Sequence, residues 1–241
     1  MTEAQEVLRN LAPSGVLRVA MNYGNPVLVQ RGDSDDAPRG VAAELARAVA
    51  QRLGVTPTFI SYDAAGKVVA GREHDEWDLA FLAIDPLRAE SIRFTDPYVQ
   101  IEGTYMVAEG SPYTRVEQLD QSGVRIAVGQ GAAYDLFLSR HLQQATLERA
   151  ATSAAAMDLF AEKKLDAAAG VRQPLLAYAA AHEGYRVLEG HFTAIQQAMA
   201  VPKERQLAYD WLVSFLQDMK HSNFIRAALT ESGQSAEIAA P

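Results

Sequence analysis

The feature that most constrains this chain is an alternation. Short apolar or β-branched runs, bounded by Gly, Pro and Asp, take turns with longer segments whose apolar residues recur every three to four positions. VLRVAMN (16–22), VTPTFISY (55–62) and DLAFLAI (78–84) read as buried strands. Between the first two, VAAELARAVAQRLG (41–54) places Val41, Leu45, Ala48, Val49 and Leu53 on one helical face, with Gly54 as its stop. Residues 4–12 form a short helix ended by Pro13-Ser14-Gly15, 24–40 is loop or hairpin, and 64–77 is weakly helical. The β-α-β-α-β order requires a parallel sheet covered by helices.

The same order then returns. Strands are expected at 123–129, 145–150, 166–171 and 185–190. Helices are expected at 132–142, 153–165, with Ser153 as N-cap, and 174–184. This is no tandem sequence repeat but a second copy of one architecture. Beyond it, 194–202 reads as a connecting strand and 204–223 as an amphipathic helix with Leu207, Trp211, Phe215 and Met219 on its stripe. Residues 224–233 form a short helix, and 235–241 reads as a loose tail. The chain is therefore expected to build two α/β lobes, crossing between them near 105–108 and 197–200. Residues 1–106 with 198–241 make the first lobe and 107–197 the second.

Composition narrows the chemistry. There is no cysteine, so disulfides, thiolate nucleophiles and Cys-ligated metals are excluded. The formal charge is −8, against a phosphate-backbone binder, so no nucleic-acid partner is expected. Apolar runs such as Ala177–Ala181 are far shorter than the roughly 20 residues that span a bilayer. The first residues, MTEAQEVLRNLAPSG, hold Glu3 and Glu6 and no signal-peptide core, leaving open a cytoplasmic protein or one whose leader was removed.

Five segments, in order, carry a resemblance: GVLRVAMNYGNP (15–26), RGVAAELARAVAQRLGV (39–55), WDLAFLAIDPLRAESIRFTDPY (77–98), VRIAVGQGAAYDLFL (124–138) and KKLDAAAGV (163–171). Together they resemble the bacterial extracellular solute-binding proteins of family 3, the polar amino-acid uptake type. The resemblance covers about residues 15–230. It implies a two-lobed fold of the periplasmic-binding-protein type II, each lobe a mostly parallel sheet flanked by helices and joined by two crossover strands. It further implies a periplasmic clamp, monomeric and without cofactor, that closes by a hinge on a small ligand and hands it to the permease of an ABC importer.

The site residues follow from the motifs. Arg88, just past a strand end, matches the arginine that holds the ligand carboxylate in the family, where a planar guanidinium gives two parallel hydrogen bonds. Asp85 stands where amino-acid binders commonly have Thr; it binds an ammonium, orients Arg88, or merely starts the turn before Pro86. The family's Gly-x-Thr at this strand end is replaced by Phe81, Leu82 and Ala83. Gln130, Gly131, Ala132 and Ala133 lie at a strand-to-helix turn, where backbone N–H groups and the helix dipole attract anions. Asn22 and Tyr23 follow the first strand and offer polar contacts and an aromatic wall. After the 166–171 strand, Arg172 stands near the family's ammonium-binding aspartate. If it faces the ligand, it repels an ammonium and attracts a second anion. The expected ligand thus carries one or two carboxylates and no standard α-amino grip, the alternative being an ordinary α-amino acid held by Asp85 or Glu44. Glu44 and Glu102 read as ion-pair partners, and Gln196 and Gln197 lie near the second crossing.

Other signals fail. His74, His141, His182, His191 and His221 lack metal-ligand spacing, and no P-loop, G-x-S-x-G or dinucleotide fingerprint is present. Two rivals share the scaffold: an enzyme resembling cyclohexadienyl dehydratase, with Glu44, Glu102 or Asp85 as general acid, and a ligand-sensing domain.

Overall fold

The computed structural model describes residues 2–34 and 37–241. Asp35 and Asp36, inside the expected 24–40 loop, lie outside the described residues, as does Met1. The chain divides into two compact units. One comprises Met1–Tyr62, Lys67–Gln100 and Gln196–Pro241; the other comprises Asp63–Gly66 and Ile101–Ile195. The chain changes unit at 62/63 and 66/67, around the short Asp63–Gly66 segment, and again at 100/101 and 195/196.

The first unit opens with α1 (Glu3–Leu11), whose N-cap Thr2 and Gln5 satisfy each other's backbone donors reciprocally. β1 (Leu17–Asn22) follows, then α2 (Val41–Leu53), β2 (Pro57–Tyr62), α3 (Ala65–Glu73) and β3 (Ala80–Ala83). Gly54 ends α2 at φ +70°, a conformation that costs glycine little. The connection from β1 to α2 contains a small hairpin, with Gln30 and Arg39 exchanging both backbone hydrogen bonds at 2.8 Å. β1 pairs in parallel with β2 over six residues and meets the start of β3 through a parallel bridge, Val19 to Leu79. A two-pronged ion pair ties this seam. Arg18 Nε and Nη2 donate to the two oxygens of buried Asp78 at 3.0 and 2.8 Å. That fork geometry raises the guanidinium pKa further. Trp77 is fully buried, and its indole N–H donates to the Val68 carbonyl at 2.7 Å.

β4 (Ile92–Ala108) leaves this unit and β9 (Thr193–Pro202) returns to it, where Gln197–Ala200 runs antiparallel to β3. The second unit contains β5 (Arg125–Gly129), α4 (Ala133–His141), β6 (Thr146–Ala150), α5 (Ser153–Lys163), β7 (Ala167–Val171), α6 (Arg172–Ala181) and β8 (Tyr185–Val187). β5 lies parallel to both β6 and β7, and β4 runs antiparallel to β7 and β8. Its core is lined with small side chains: Ala127, Ala156 and Ala168 leave room for Phe160, Leu165 and Leu175.

Four local expectations are corrected. Thr152, not Ser153, caps α5, its Oγ1 accepting from Ala155 N at 3.0 Å; Ser153 Oγ is spent on the Tyr134 hydroxyl at 2.8 Å. α6 starts at Arg172 rather than Pro174, because the first three N–H groups of a helix have no intrahelical partner and proline loses nothing at the third. α7 (Gln206–His221) buries Ala208, Leu212, Phe215, Leu216 and Met219 and leaves Leu207 exposed. The tail is not loose: Ala239 bridges Val99, and Ala240 N donates to the Tyr98 carbonyl at 3.0 Å. α8 (Phe224–Glu231) packs before it.

Candidate functional site

In the first unit β1, β2 and β3 run parallel, so their carboxyl ends meet at one edge, the usual ligand edge of an open α/β sheet. Asn22, Tyr62 and Ala83 close the three strands there. The edge is knitted by backbone. Tyr23 N donates to Tyr62 O, and Ile84 N donates to Gln196 O, both at 2.8 Å. This brings Asn22, Tyr23, Phe81, Asp85, Arg88, Gln196 and Gln197 into one region of the unit.

Arg88 opens a 3₁₀ turn, Arg88–Glu90, five residues past the end of β3. It is 2% exposed, and Asp85 is 3% exposed. Nη1 donates to the Ala83 carbonyl at 3.0 Å, which turns the guanidinium back toward the strand end. Burial pulls its pKa down to about 10, with Asp85 pushing the other way. The guanidinium is protonated at neutral pH, in a setting where desolvation outweighs the help of its carboxylate neighbour. Asp85 Oδ1 also accepts from Leu87 N at 2.9 Å, so it shapes the turn as well as facing Arg88.

The other expected residues of this edge have local duties. Asn22 Oδ1 accepts from Gly24 N at 2.9 Å, an Asx turn that shapes the loop. Tyr23 lies under the Arg31 guanidinium, 4.5 Å from its ring centroid, so one ring face is already covered. Phe81 is core, packed edge-on against Tyr98 at 5.9 Å and 89°. Glu44, on α2, pairs with Arg47 at 2.6 Å.

The second unit presents the carboxyl ends of β5, β6 and β7. At the β5 end, three of the four expected anion donors are spent internally. Gln130 N donates to Ala150 O at 2.8 Å, Gly131 N to Asp135 Oδ2 at 2.8 Å, and Ala132 N to Gly129 O at 3.1 Å. Only Ala133, which starts α4, keeps its amide at the helix end. Asp135 is the residue sequence reasoning missed here. Buried, it also takes Arg149 Nη2 on its other oxygen at 3.0 Å. Its signal was present: an Asp in the first turn of a helix with no side-chain N-cap.

Arg172, at the β7 end, is also committed. Nε donates to Glu102 Oε2 at 2.5 Å, Nη1 to Leu188 O at 3.2 Å, and Nη2 to Gly190 O. Glu102 stands on β4, next to Gly103, the register partner of Val171. Its other oxygen takes His191 Nδ1 at 3.2 Å. His191 was placed by sequence among loop histidines; its contact with Glu102 depends on β4 and β9 lying close, which no local pattern reports. Among the described residues, no group of three or more His, Asp or Glu side chains has metal-site geometry. Nor is any described helix long and apolar enough to cross a membrane.

The architecture defines a fold before it defines a family: two α/β units, as in the type II periplasmic binding proteins. Solved structures share it. An L-cysteine solute receptor of Neisseria gonorrhoeae aligns with a TM-score of 0.79 at 22% identity, covering 96% of this chain and 93% of that one. An amino acid ABC transporter substrate-binding protein from Streptococcus pneumoniae, bound to L-arginine, aligns at 0.77 and 19%, covering 100% of both. An ancestral amino acid-binding protein, a precursor of cyclohexadienyl dehydratase, aligns at 0.76 and 21%, covering 95% and 99%. No curated protein sequence matches the chain. The family profile of the bacterial extracellular solute-binding proteins, family 3, matches residues 17–231, and the chain belongs to that family.

Proposed function

We propose that this protein binds a small carboxylate-bearing solute for an ABC importer, with Arg88 as the carboxylate anchor. The observation that carries the reading is the state of Arg88. It is a buried guanidinium at the ligand edge of its sheet, turned toward the strand end by its bond to the Ala83 carbonyl, and burial lowers its pKa. An added carboxylate would offset that desolvation and take paired donors in fork geometry. Solved structures with this fold include binders of L-arginine and of L-cysteine, which supports a small amino acid or related acid as the solute. Because Arg172 is engaged with Glu102, the second-anion role considered for it is left with few donors. A monocarboxylate is therefore favoured over a dicarboxylate.

Binding is favoured over catalysis by the fate of the carboxylates considered as general acids. Glu44 accepts from Arg47, Glu102 from Arg172 and His191, and Asp85 from Leu87 N beside Arg88. Each is already engaged by a neighbour of its own unit, so none of the three stands open toward a substrate. The test is a thermal-shift screen of ligand-stripped protein against amino acids, monocarboxylates and dicarboxylates. A ligand at 100 times its dissociation constant adds about 2.7 kcal/mol. A monocarboxylate hit that disappears in Arg88→Met is the expected result. A hit that survives Arg88→Met, or turnover of a prephenate-like substrate, would defeat the reading.

A further inference from the structure

We infer that the solute is a 2-oxo acid, a carboxylate with a neighbouring carbonyl oxygen and no ammonium. The inference rests on the reading of Arg88 as the carboxylate anchor and adds what the rest of that edge can recognise. The edge holds buried donors that lack acceptors. Tyr23 starts the loop after β1, and its ring is fixed under the Arg31 guanidinium at 4.5 Å. Its hydroxyl is buried and has no hydrogen-bond partner among the described residues. Tyr98, on β4, is fully buried and packs edge-on against Phe81 of β3. Its hydroxyl also lacks a partner among the described residues. Burial pushes its pKa up, so the hydroxyl keeps its proton at neutral pH. A buried donor left unpaired costs stability, and an arriving acceptor recovers it.

The groups that could hold an ammonium are committed. Asp85 Oδ1 accepts from Leu87 N at 2.9 Å, and its charge acts on Arg88. Glu44 pairs with Arg47 at 2.6 Å. Asp63, the residue after β2, has a partner of its own. Asn22 Oδ1 accepts from Gly24 N at 2.9 Å. β3, with the sequence AFLA, brings no side-chain acceptor at all. The amides of Gln196 and Gln197 each carry a donor and an acceptor, so they do not choose between an ammonium and a carbonyl. An ammonium buried without a carboxylate is costly, whereas a carbonyl oxygen asks only for a donor. A 2-oxo acid brings three acceptor oxygens and, at neutral pH, no N–H or O–H donor. Its carboxylate takes the Arg88 fork, and its 2-oxo oxygen accepts from a tyrosine hydroxyl.

The test is isothermal titration of ligand-stripped protein with matched pairs on one carbon skeleton: pyruvate and alanine, 4-methyl-2-oxopentanoate and leucine, phenylpyruvate and phenylalanine. At least one 2-oxo acid should bind, at least about tenfold tighter than its amino acid, and should be lost in Arg88→Met. The double variant Tyr23→Phe/Tyr98→Phe should bind that 2-oxo acid at least about fivefold more weakly. The same variant should bind the plain acid without the 2-oxo oxygen within about twofold of wild type. Its ligand-free melting point should not fall, because the hydroxyls removed make no bond in the free protein. An amino acid that binds as tightly as its 2-oxo partner and is lost in Arg88→Met overturns this inference and leaves the anchor standing. A 2-oxo acid that still binds Arg88→Met defeats the anchor and this inference together. Undiminished 2-oxo acid affinity in the double variant, or no binding of any of the three 2-oxo acids, also overturns it.

Discussion

Two arginines stand at matching places in the two units, each just beyond the carboxyl end of a strand, and their surroundings are opposite. Arg88, after β3, is buried and sits beside a buried Asp85, yet burial still wins and lowers its pKa. Arg172, after β7, keeps 24% of its side chain exposed and is satisfied three times over, by Glu102 and by the carbonyls of Leu188 and Gly190. The difference teaches which arginine has something to gain. A charge whose environment under-compensates it gains from an incoming anion. A charge already neutralised by a carboxylate at 2.5 Å gains little and loses a partner by turning away.

The largest effect expected from breaking this contrast is at Arg88. Arg88→Met should cut carboxylate affinity by about 100-fold or more, since truncating one side of a buried charged contact costs about 2–5 kcal/mol. Isothermal titration reads it directly. Arg88→Lys should recover only part of the loss, because an ammonium cannot reproduce the fork. The seam that supports this edge offers the next test. Asp78→Ala removes the buried carboxylate that accepts from the Arg18 guanidinium and backbone N–H, leaving Asp75 as the arginine's partner, and should lower unfolding stability by about 2 kcal/mol in denaturant melts, with the midpoint shifted and the slope kept.

Effects in the second unit should be smaller. Arg172→Ala should change carboxylate affinity less than about threefold, and a double-mutant cycle with Glu102→Gln should give a coupling of about 0.5–1 kcal/mol, as for a half-exposed pair. The smallest effect concerns acid. Asp120 accepts from the backbone N–H groups of Gln143, Gln144 and Ala145, and these bonds hold its pKa below the ordinary carboxylate value. A depressed carboxylate stabilises the fold above its unfolded-state pKa, and that contribution is lost as pH falls through the lower folded value. Asp120→Ala should therefore flatten the acid limb of stability below about pH 4 relative to wild type, and shift it little below that limb's end. A pH series of thermal melts checks this.

The contrast between the arginines was half legible in the sequence. The strand–helix alternation located every strand end that matters, because β-branched runs and glycine stops are local signals. It therefore places Arg88, Gln130 and Arg172 just beyond the carboxyl ends of β3, β5 and β7, where the structure has them. It could not assign their duties. Whether Arg172 faces a ligand or Glu102 depends on β4 lying antiparallel to β7, a pairing set by residues some 70 positions apart. The amides of 130–132 turned inward for a similar reason: Gly131 N found Asp135, and Gln130 N found the end of β6. α7 shows a different ambiguity. With Leu207, Trp211, Leu212 and Leu216 all apolar, two faces satisfy the same period, and the neighbouring α1 and core decide between them. The tail reads as loose because its holds, a bridge and a backbone bond to β4 and side-chain donors from Lys220 and Arg226, come from other elements and leave no compositional trace in the tail itself.

The central claim is that Arg88, and not Arg172, anchors the carboxylate. The most direct test is isothermal titration of the best-binding monocarboxylate from the screen, alongside its primary amide, into wild type, Arg88→Met and Arg172→Ala. The account predicts that the amide and Arg88→Met each lose about 100-fold, that the two losses do not add, and that Arg172→Ala binds within about threefold of wild type. If Arg172→Ala loses the affinity and Arg88→Met keeps it, the carboxylate is held in the second unit and the account is wrong.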